Sequence, residues 1–183
     1  MINNRRLFAA VVLAAVWSLA AYAQDNSRKI VPVKFVSVDG GFKIDLPNTI
    51  DESIRPVGSM SSGAGSFTWR VPEGTFTVGY VEGVSVVPGE GFRALNELAA
   101  AAEAAQAKAG AKIVDKCEFS LDGAPGIELR AERPAGVRSI NRFILAGGRL
   151  FILTADWPST SDGRSAKKIL DSFELADTRA LTA

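Results

Sequence analysis

The sequence predicts an α+β domain, with a central antiparallel sheet and helices on both faces. The second half of the chain carries four apolar runs joined by short turns, which is typical of an antiparallel meander. An Ala-rich helical segment precedes these runs, and a shorter amphipathic segment follows them. Each face of the sheet therefore has a helix to cover it, which gives an α+β sandwich.

The chain begins with a segment typical of a secretory signal peptide. Arg5 and Arg6 precede an apolar run over residues 7–21, and Ala21-Tyr22-Ala23 offers the small residues of a cleavage site. The run is shorter than the roughly 20 residues of a membrane-spanning helix, which favours cleavage over an uncleaved anchor. We expect removal of residues 1–23, an extracytoplasmic (periplasmic or secreted) protein, and no stable membrane insertion after cleavage.

The remaining length is that of one domain. We expect a flexible tail at 24–33, a single domain at 34–176 and a C-terminal tail at 177–183. Loss of Arg5 and Arg6 lowers the count of Lys plus Arg from 21 to 19, against 20 Asp plus Glu, for a net charge of −1. This balance argues against nucleic acid as a partner.

The chain has no histidine and one cysteine, Cys117. Ser-His-Asp and Cys-His catalysis and imidazole metal sites are therefore excluded, and no intramolecular disulfide can form. Carboxylates, Lys, Tyr or a metal held by oxygen ligands remain for catalysis. No recognised catalytic motif is present, so we expect no enzyme activity and no cofactor.

The first half of the chain contains short strands separated by turns and by a Gly/Ser loop at 58–66. Alternation of apolar and polar residues indicates half-buried strands. The predicted strands are Lys34–Val38, Phe42–Leu46, Phe67–Val71 and Phe76–Tyr80.

The clearest helix covers residues 91–109, because alanine is the best helix former. Its apolar stripe consists of Phe92, Leu95, Ala99 and Ala102, and Gly110 ends it.

The meander follows this helix. Its predicted strands are Lys112–Leu121, Gly126–Arg133, Val137–Ala146 and Arg149–Trp157. Gly147-Gly148 sets Leu145 opposite Leu150. A three-residue turn at Pro134-Ala135-Gly136 sets Arg138 opposite Glu132 and Arg142 opposite Glu128. We expect these pairs to be exposed and worth about 0.2–1 kcal/mol each.

Strand alternation assigns the faces of the meander. The predicted core face, under the long helix, carries Ile113, Cys117, Phe119, Ile127, Leu129, Phe143, Leu145, Leu150 and Ile152. On this assignment Cys117 is a buried, inert thiol. The opposite face becomes apolar toward the last strand, and a closing helix at 161–172 is expected to cover it.

Three motifs resemble those of PsbP-like domains. They are Phe42-Lys-Ile-Asp-Leu-Pro47, Leu121-Asp-Gly-Ala-Pro-Gly126, and the closing strand Arg149-Leu-Phe-Ile-Leu153 with the ending Ala166-Lys-Lys-Ile-Leu-Asp-Ser-Phe-Glu-Leu175. The resemblance implies an α/β/α sandwich around an antiparallel sheet. The family includes photosystem II subunits, a Ran-binding import factor and many exported bacterial proteins of unknown role. Its members of known role mostly act by binding, so the resemblance implies a binding function.

The predicted registers bring polar residues together at one end of the core face. Asp115, Ser139 and Asp156 share one cross-strand row, with Asn141 and Thr154 in the next row beside Cys117. These oxygens could hold Ca²⁺ or Mg²⁺ or orient a small ligand. The alternative is a strand end that extends past the helix into water.

Trp69 and Trp157 are candidate interface residues, since aromatic side chains are enriched at interfaces. The alternative is packing at the edge of the core. The sequence thus favours an exported, non-enzymatic binding or accessory domain for a protein or small ligand. An enzyme using carboxylates or an oxygen-ligated metal at the sheet end, and a structural envelope component, are the alternatives.

Overall fold

A computed structural model describes residues 32–47, 63–71 and 74–176. The predicted signal peptide at 1–23, residues 24–31 of the predicted tail and the C-terminal tail at 177–183 lie outside the described residues. Pro32 and Val33, which were predicted to belong to the tail, lie in a strand. None of the helices in these ranges is long and apolar enough to cross a membrane.

The described residues form an α+β fold with two antiparallel sheets. The elements are β1 Pro32–Ser37, β2 Phe42–Pro47, β3 Ala64–Val71, β4 Gly74–Glu82, α1 Gly91–Lys108, β5 Lys112–Leu121, β6 Ala124–Arg133, β7 Val137–Ala146, β8 Arg149–Pro158, α2 Arg164–Asp171 and β9 Glu174–Leu175. The larger sheet has the order β3-β4-β8-β7-β6-β5, and the smaller has the order β1-β2-β9. The α+β class is confirmed, and the larger sheet contains the predicted meander, whereas the smaller sheet was not predicted.

The two faces of the larger sheet have different covers. Helix α1 packs on β5, β6 and β7 and buries Leu95, Leu98, Ala99 and Ala102. Phe92 is 38% exposed, so its assignment to the apolar stripe is wrong, and Leu98 lies on the stripe instead. On the other face, α2 and the smaller sheet together enclose an aromatic-rich core, where the sequence predicted a helix alone.

The last two hairpins of the meander, β6–β7 and β7–β8, have the predicted registers. Leu145 lies opposite Leu150, Glu132 opposite Arg138 and Glu128 opposite Arg142. The three-residue turn places Ala135 in the left-handed region, at φ 64°, and gives the offset that aligns both pairs.

A β-bulge in β5 overturns part of the predicted face assignment. Ile113 pairs with Ala131, but the next partner along β6, Arg130, pairs with Asp115, so Val114 is the extra residue. Because strand side chains alternate, one extra residue moves every later side chain to the opposite face. Cys117 consequently lies opposite Glu128, is exposed, and is not the buried core residue that the sequence predicted.

The contacts of α1 confirm this shift. Lys116 forms an ion pair with Glu103 at 2.9 Å, and Glu118 accepts a hydrogen bond from Asn96 at 2.8 Å. The charged side chains of β5 therefore lie on the α1 face, while Cys117 lies on the opposite one.

Candidate functional site

Four of the five predicted ligand-binding residues lie together on the α1 face. The pairing of β7 with β8 sets Ser139 opposite Asp156 and Asn141 opposite Thr154, as predicted. Asp115 does not join them, because the bulge places it on the other face beside Arg130. The row therefore contains one carboxylate, where the sequence predicted two.

This polar row is buried and partly paired. Ser139 and Asn141 are 1% and 3% exposed, and Thr154 Oγ1 donates to Asn141 Oδ1 at 3.1 Å. Arg133 Nη1 donates to Asp156 Oδ2 at 3.2 Å. Burial raises the pKa of Asp156, and the charge of Arg133 partly offsets this.

The row has few of the donors that a divalent cation requires. Its carboxylate is paired with a guanidinium, and the described residues contain no group of three or more acidic or sulfur side chains that could hold a metal ion. Ser139 Oγ, Asn141 Nδ2 and Asp156 Oδ1 form no hydrogen bond with the part of the chain that the structure describes.

A groove of about 280 Å³ lies on the opposite face, between β5, β6, β7 and the end of α2. We refer to it as the Glu128 groove. It is lined by Cys117, Phe119, Leu121, Glu128, Arg130, Arg142, Ile144, Leu170, Asp171 and Phe173. Alternate β5 side chains from Cys117 onward line this groove, in the register that the Asp122-Gly123 turn sets.

A carboxylate with two guanidinium partners forms the polar part of the groove. Glu128 is 4% exposed and accepts hydrogen bonds from Arg142 Nε at 2.7 Å and Arg130 Nε at 2.8 Å. Arg142 Nη2 also donates to Asp171 at 2.6 Å. Burial alone would raise the pKa of Glu128, but the bonds and charges of the two arginines outweigh it and lower that pKa. Glu128 is therefore ionised and fixed in place at neutral pH.

The rest of the groove is largely apolar. Phe119 and Leu121 on β5 are half-buried, and Ile144, Leu170 and Phe173 are buried. The Arg142 guanidinium lies 5.5 Å from the centre of the Phe119 ring, within cation–π distance. The groove thus combines apolar walls with charges that are already oriented.

Cys117 lies at this groove as an exposed residue, but its thiol is not activated. Partial burial of the thiol, followed by the nearby charges of Glu128 and Asp115, raises its pKa. Reactive cysteines require a lowered pKa. The prediction of an inert thiol stays open to test, although the predicted burial is wrong.

The two candidate interface tryptophans are buried. Trp69 and Trp157 are 3% and 8% exposed, and both belong to the core between the sheets. Trp69 stacks on Phe76 at 5.9 Å between ring centres. Gly163 lies against the Trp157 ring, where a side chain would collide with it. Neither indole presents a surface to a partner.

No family model and no curated protein matches the chain. Solved structures that match include a cyanobacterial PsbP (CyanoP) from Synechocystis sp. PCC 6803, with 11% identity, TM-score 0.49, and coverage of 84% of this chain and 97% of that chain. The Saccharomyces cerevisiae Ran-binding protein Mog1p matches with 8% identity, TM-score 0.47, and coverage of 82% and 98%. A protein of unknown function from Pseudomonas aeruginosa, PA94, described as a putative regulator, matches with 11% identity, TM-score 0.45, and coverage of 77% and 94%.

These matches include a PsbP structure. The similarity concerns the fold alone.

Proposed function

We propose that this chain is an exported, non-enzymatic binding domain, and that the Glu128 groove holds a bulky apolar side chain or short segment of a protein partner. The observation that carries the proposal is a buried carboxylate fixed by two arginines between apolar walls, in a groove that has room for a ligand.

The size and lining of the groove favour a protein segment. Sites for drug-sized molecules usually hold roughly 300–1,000 Å³, and this groove, at about 280 Å³, is slightly smaller. Arginine and aromatic side chains are enriched at protein interfaces, as they are here. Because Arg142 and Glu128 are already bonded to each other, a partner would not have to order them on binding.

The ionisation states support binding rather than catalysis. A general acid or base works best with a pKa near the working pH. In the groove, the pKa of Glu128 is lowered, as is that of Asp171, and the pKa of Cys117 is raised. The alternative of a metal-dependent enzyme at the sheet end is weakened, because Asp115 lies on the other face.

The proposal can be tested by comparing two substitutions that each introduce one aspartate. Leu121→Asp places a charge on the groove wall, whereas Val87→Asp changes a residue that is 66% exposed and outside the groove lining. Wild type and both variants are immobilised and exposed to envelope extract, and a captured protein is then titrated by calorimetry. We expect at least roughly tenfold weaker binding for Leu121→Asp, since a buried unpaired charge costs more than 1.4 kcal/mol.

Val87→Asp is expected to bind like wild type. Melting curves establish that both variants are folded. Equal affinity for wild type and Leu121→Asp would rule out the groove as the site, and loss of binding in Val87→Asp alone would place the site elsewhere.

A further inference from the structure

Among the residues that the structure describes, strand β5 forms one edge of the six-stranded sheet, and its residues from Asp115 to Glu118 are exposed. An edge strand carries backbone N–H and C=O groups that a further strand can pair with. The β5–β6 turn determines which β5 residues direct these groups to the open edge. In this turn Asp122 and Gly123 have φ angles of 51° and 83°. Such a two-residue turn is closed by a hydrogen-bonded pair, here Leu121 and Ala124.

Hydrogen-bonded and non-hydrogen-bonded pairs alternate along an antiparallel ladder. Counting back from Leu121, Cys117 directs its backbone groups to β6, whereas Lys116 and Glu118 direct theirs to the open edge. The bulge at Val114 interrupts the regular strand before Asp115. The regular open edge therefore begins at Asp115.

The charges of this edge favour one self-pairing. In a two-fold antiparallel pair of β5 strands, the residue on the axis faces its own copy. An axis at Asp115, Lys116 or Glu118 would place like charges in contact, which is destabilising. An axis at Phe119 would run the paired strand into the Asp122 turn.

An axis at Cys117 avoids both problems. It places Lys116 of each copy opposite Glu118 of the other. It also pairs Asp115 with Phe119 of the second copy, so the paired residues end at Asp115, next to the bulge.

We infer that β5 pairs with β5 of a second copy about a two-fold axis at Cys117, which joins two six-stranded sheets into one. Four backbone hydrogen bonds form, two for each Lys116–Glu118 pair. Because the paired stretch is short, the non-covalent dimer is expected to be weak, in the micromolar to millimolar range.

The helices permit this assembly. Helix α1 packs mainly over β6, so the two copies of α1 would be separated by about three strand spacings, or roughly 14 Å. A helix with its side chains is about 10–12 Å wide. The two copies of α1 therefore fit side by side on one face of the joined sheet.

The register makes a chemical prediction. The two Cys117 residues on the axis form no backbone hydrogen bonds with each other. Such pairs have the shortest Cα–Cα distance between antiparallel strands, and this distance suits a disulfide. Diamide, an azo oxidant, should then join them: the two thiols form an S–S bond, and two electrons and two protons pass to the azo group.

Sedimentation equilibrium of the purified protein, with reductant present, tests the pairing. Lys116→Glu should weaken the dimer about tenfold or more, because two attractive pairs become repulsive. Lys116→Glu combined with Glu118→Lys should restore it, since the exchanged charges again face each other across the axis. Lys112→Glu, on the same strand before the bulge, is the matched control and should have no effect.

The crosslinking experiment fixes the register. Diamide should give a disulfide dimer with wild type. It should give none with Cys117→Ser, and none with the double variant that carries both Cys117→Ser and Phe119→Cys. A protein that stays monomeric at millimolar concentration would overturn the inference. So would equal weakening by Lys112→Glu and Lys116→Glu, failure of the charge exchange to restore the dimer, or efficient crosslinking through position 119.

Discussion

Arg142→Met removes the guanidinium that joins two strands and a helix. Arg142 donates to Glu128 at 2.7 Å and to Asp171 at 2.6 Å, and its side chain is 12% exposed. Methionine retains much of the apolar stem but none of the charge. Among the described residues, the buried Glu128 would then keep Arg130 as its one charged partner.

The cost is set mainly by Glu128. Removing one partner of a buried ion pair typically destabilises a protein by about 3–5 kcal/mol, because the other charge is left uncompensated. Arg130 remains bonded to Glu128 and reduces this cost, while the exposed bond to Asp171 adds only about 0.2–1 kcal/mol. We expect Arg142→Met to lower the free energy of unfolding by about 2–4 kcal/mol.

The assay is urea unfolding of four proteins: wild type, Arg142→Met, Glu128→Met and the double variant. The double variant should be more stable than the sum of the single changes predicts, with a coupling of about 1–3 kcal/mol, because it leaves no unpaired buried charge. Arg138→Met is the matched control. Its partner Glu132 is 4.0 Å away and both side chains are about half exposed, so a change within about 0.5 kcal/mol is expected.

Acid provides a second readout of the same pair. The pKa of Glu128 is lowered in the folded protein, so its stabilising contribution is present above the unfolded value of about 4.3 and is lost as pH falls through the folded value. The difference between wild type and Arg142→Met should therefore shrink on acidification, as Glu128 becomes protonated in both. Strictly additive single effects, or a difference that persists in acid, would refute this reasoning.

Three further predictions concern other residues. Cys117 should react completely with a thiol reagent under native conditions, because it is exposed. The reaction should be slow at neutral pH and faster as pH rises, because the pKa of the thiol is raised. Protection from the reagent would contradict the exposed placement of Cys117. The free energy of unfolding of Asp156→Asn should rise relative to that of wild type as pH rises through the folded pKa of Asp156. The reason is that burial raises this pKa, so ionisation of Asp156 opposes folding. A difference in unfolding free energy that stays constant with pH would argue against this burial effect. N-terminal sequencing of exported protein should begin at Gln24, and an intact, membrane-bound residue 1 would count against secretion.

Turn chemistry and charge pairing made much of the meander predictable. Gly147-Gly148 and the Pro134 turn leave few registers, and the Glu128–Arg142 pair agrees with one of them. The burial of that pair was not predictable from strand pairing, because α2 supplies Asp171 and Leu170 to the groove beside it.

The residue types at the Val114 bulge do not mark it. No glycine or proline marks it, and a regular strand over the same residues gives an equally plausible apolar face that contains Cys117 and Phe119. One extra residue thus separated Asp115 from its predicted row and placed Cys117 in the groove. The charges of the two strands did carry a signal against the predicted register. That register sets Lys116 opposite Arg130 and Glu118 opposite Glu128, and like charges directly opposite each other are destabilising.

The pairing of β9 with β2 has a consequence for the order of folding. Phe42 and Lys43 pair with Leu175 and Glu174, so the smaller sheet joins the start and the end of the described chain. Synthesis delivers β1 and β2 first, and an isolated two-stranded hairpin is only marginally stable in water. Ring contacts of Phe42 with Phe151 and Phe173 also await the last elements. The pairing of β2 with β9 and the contact of Phe42 with Phe173 therefore form only after residue 175 has emerged, so the smaller sheet is the last part of the described fold to be completed.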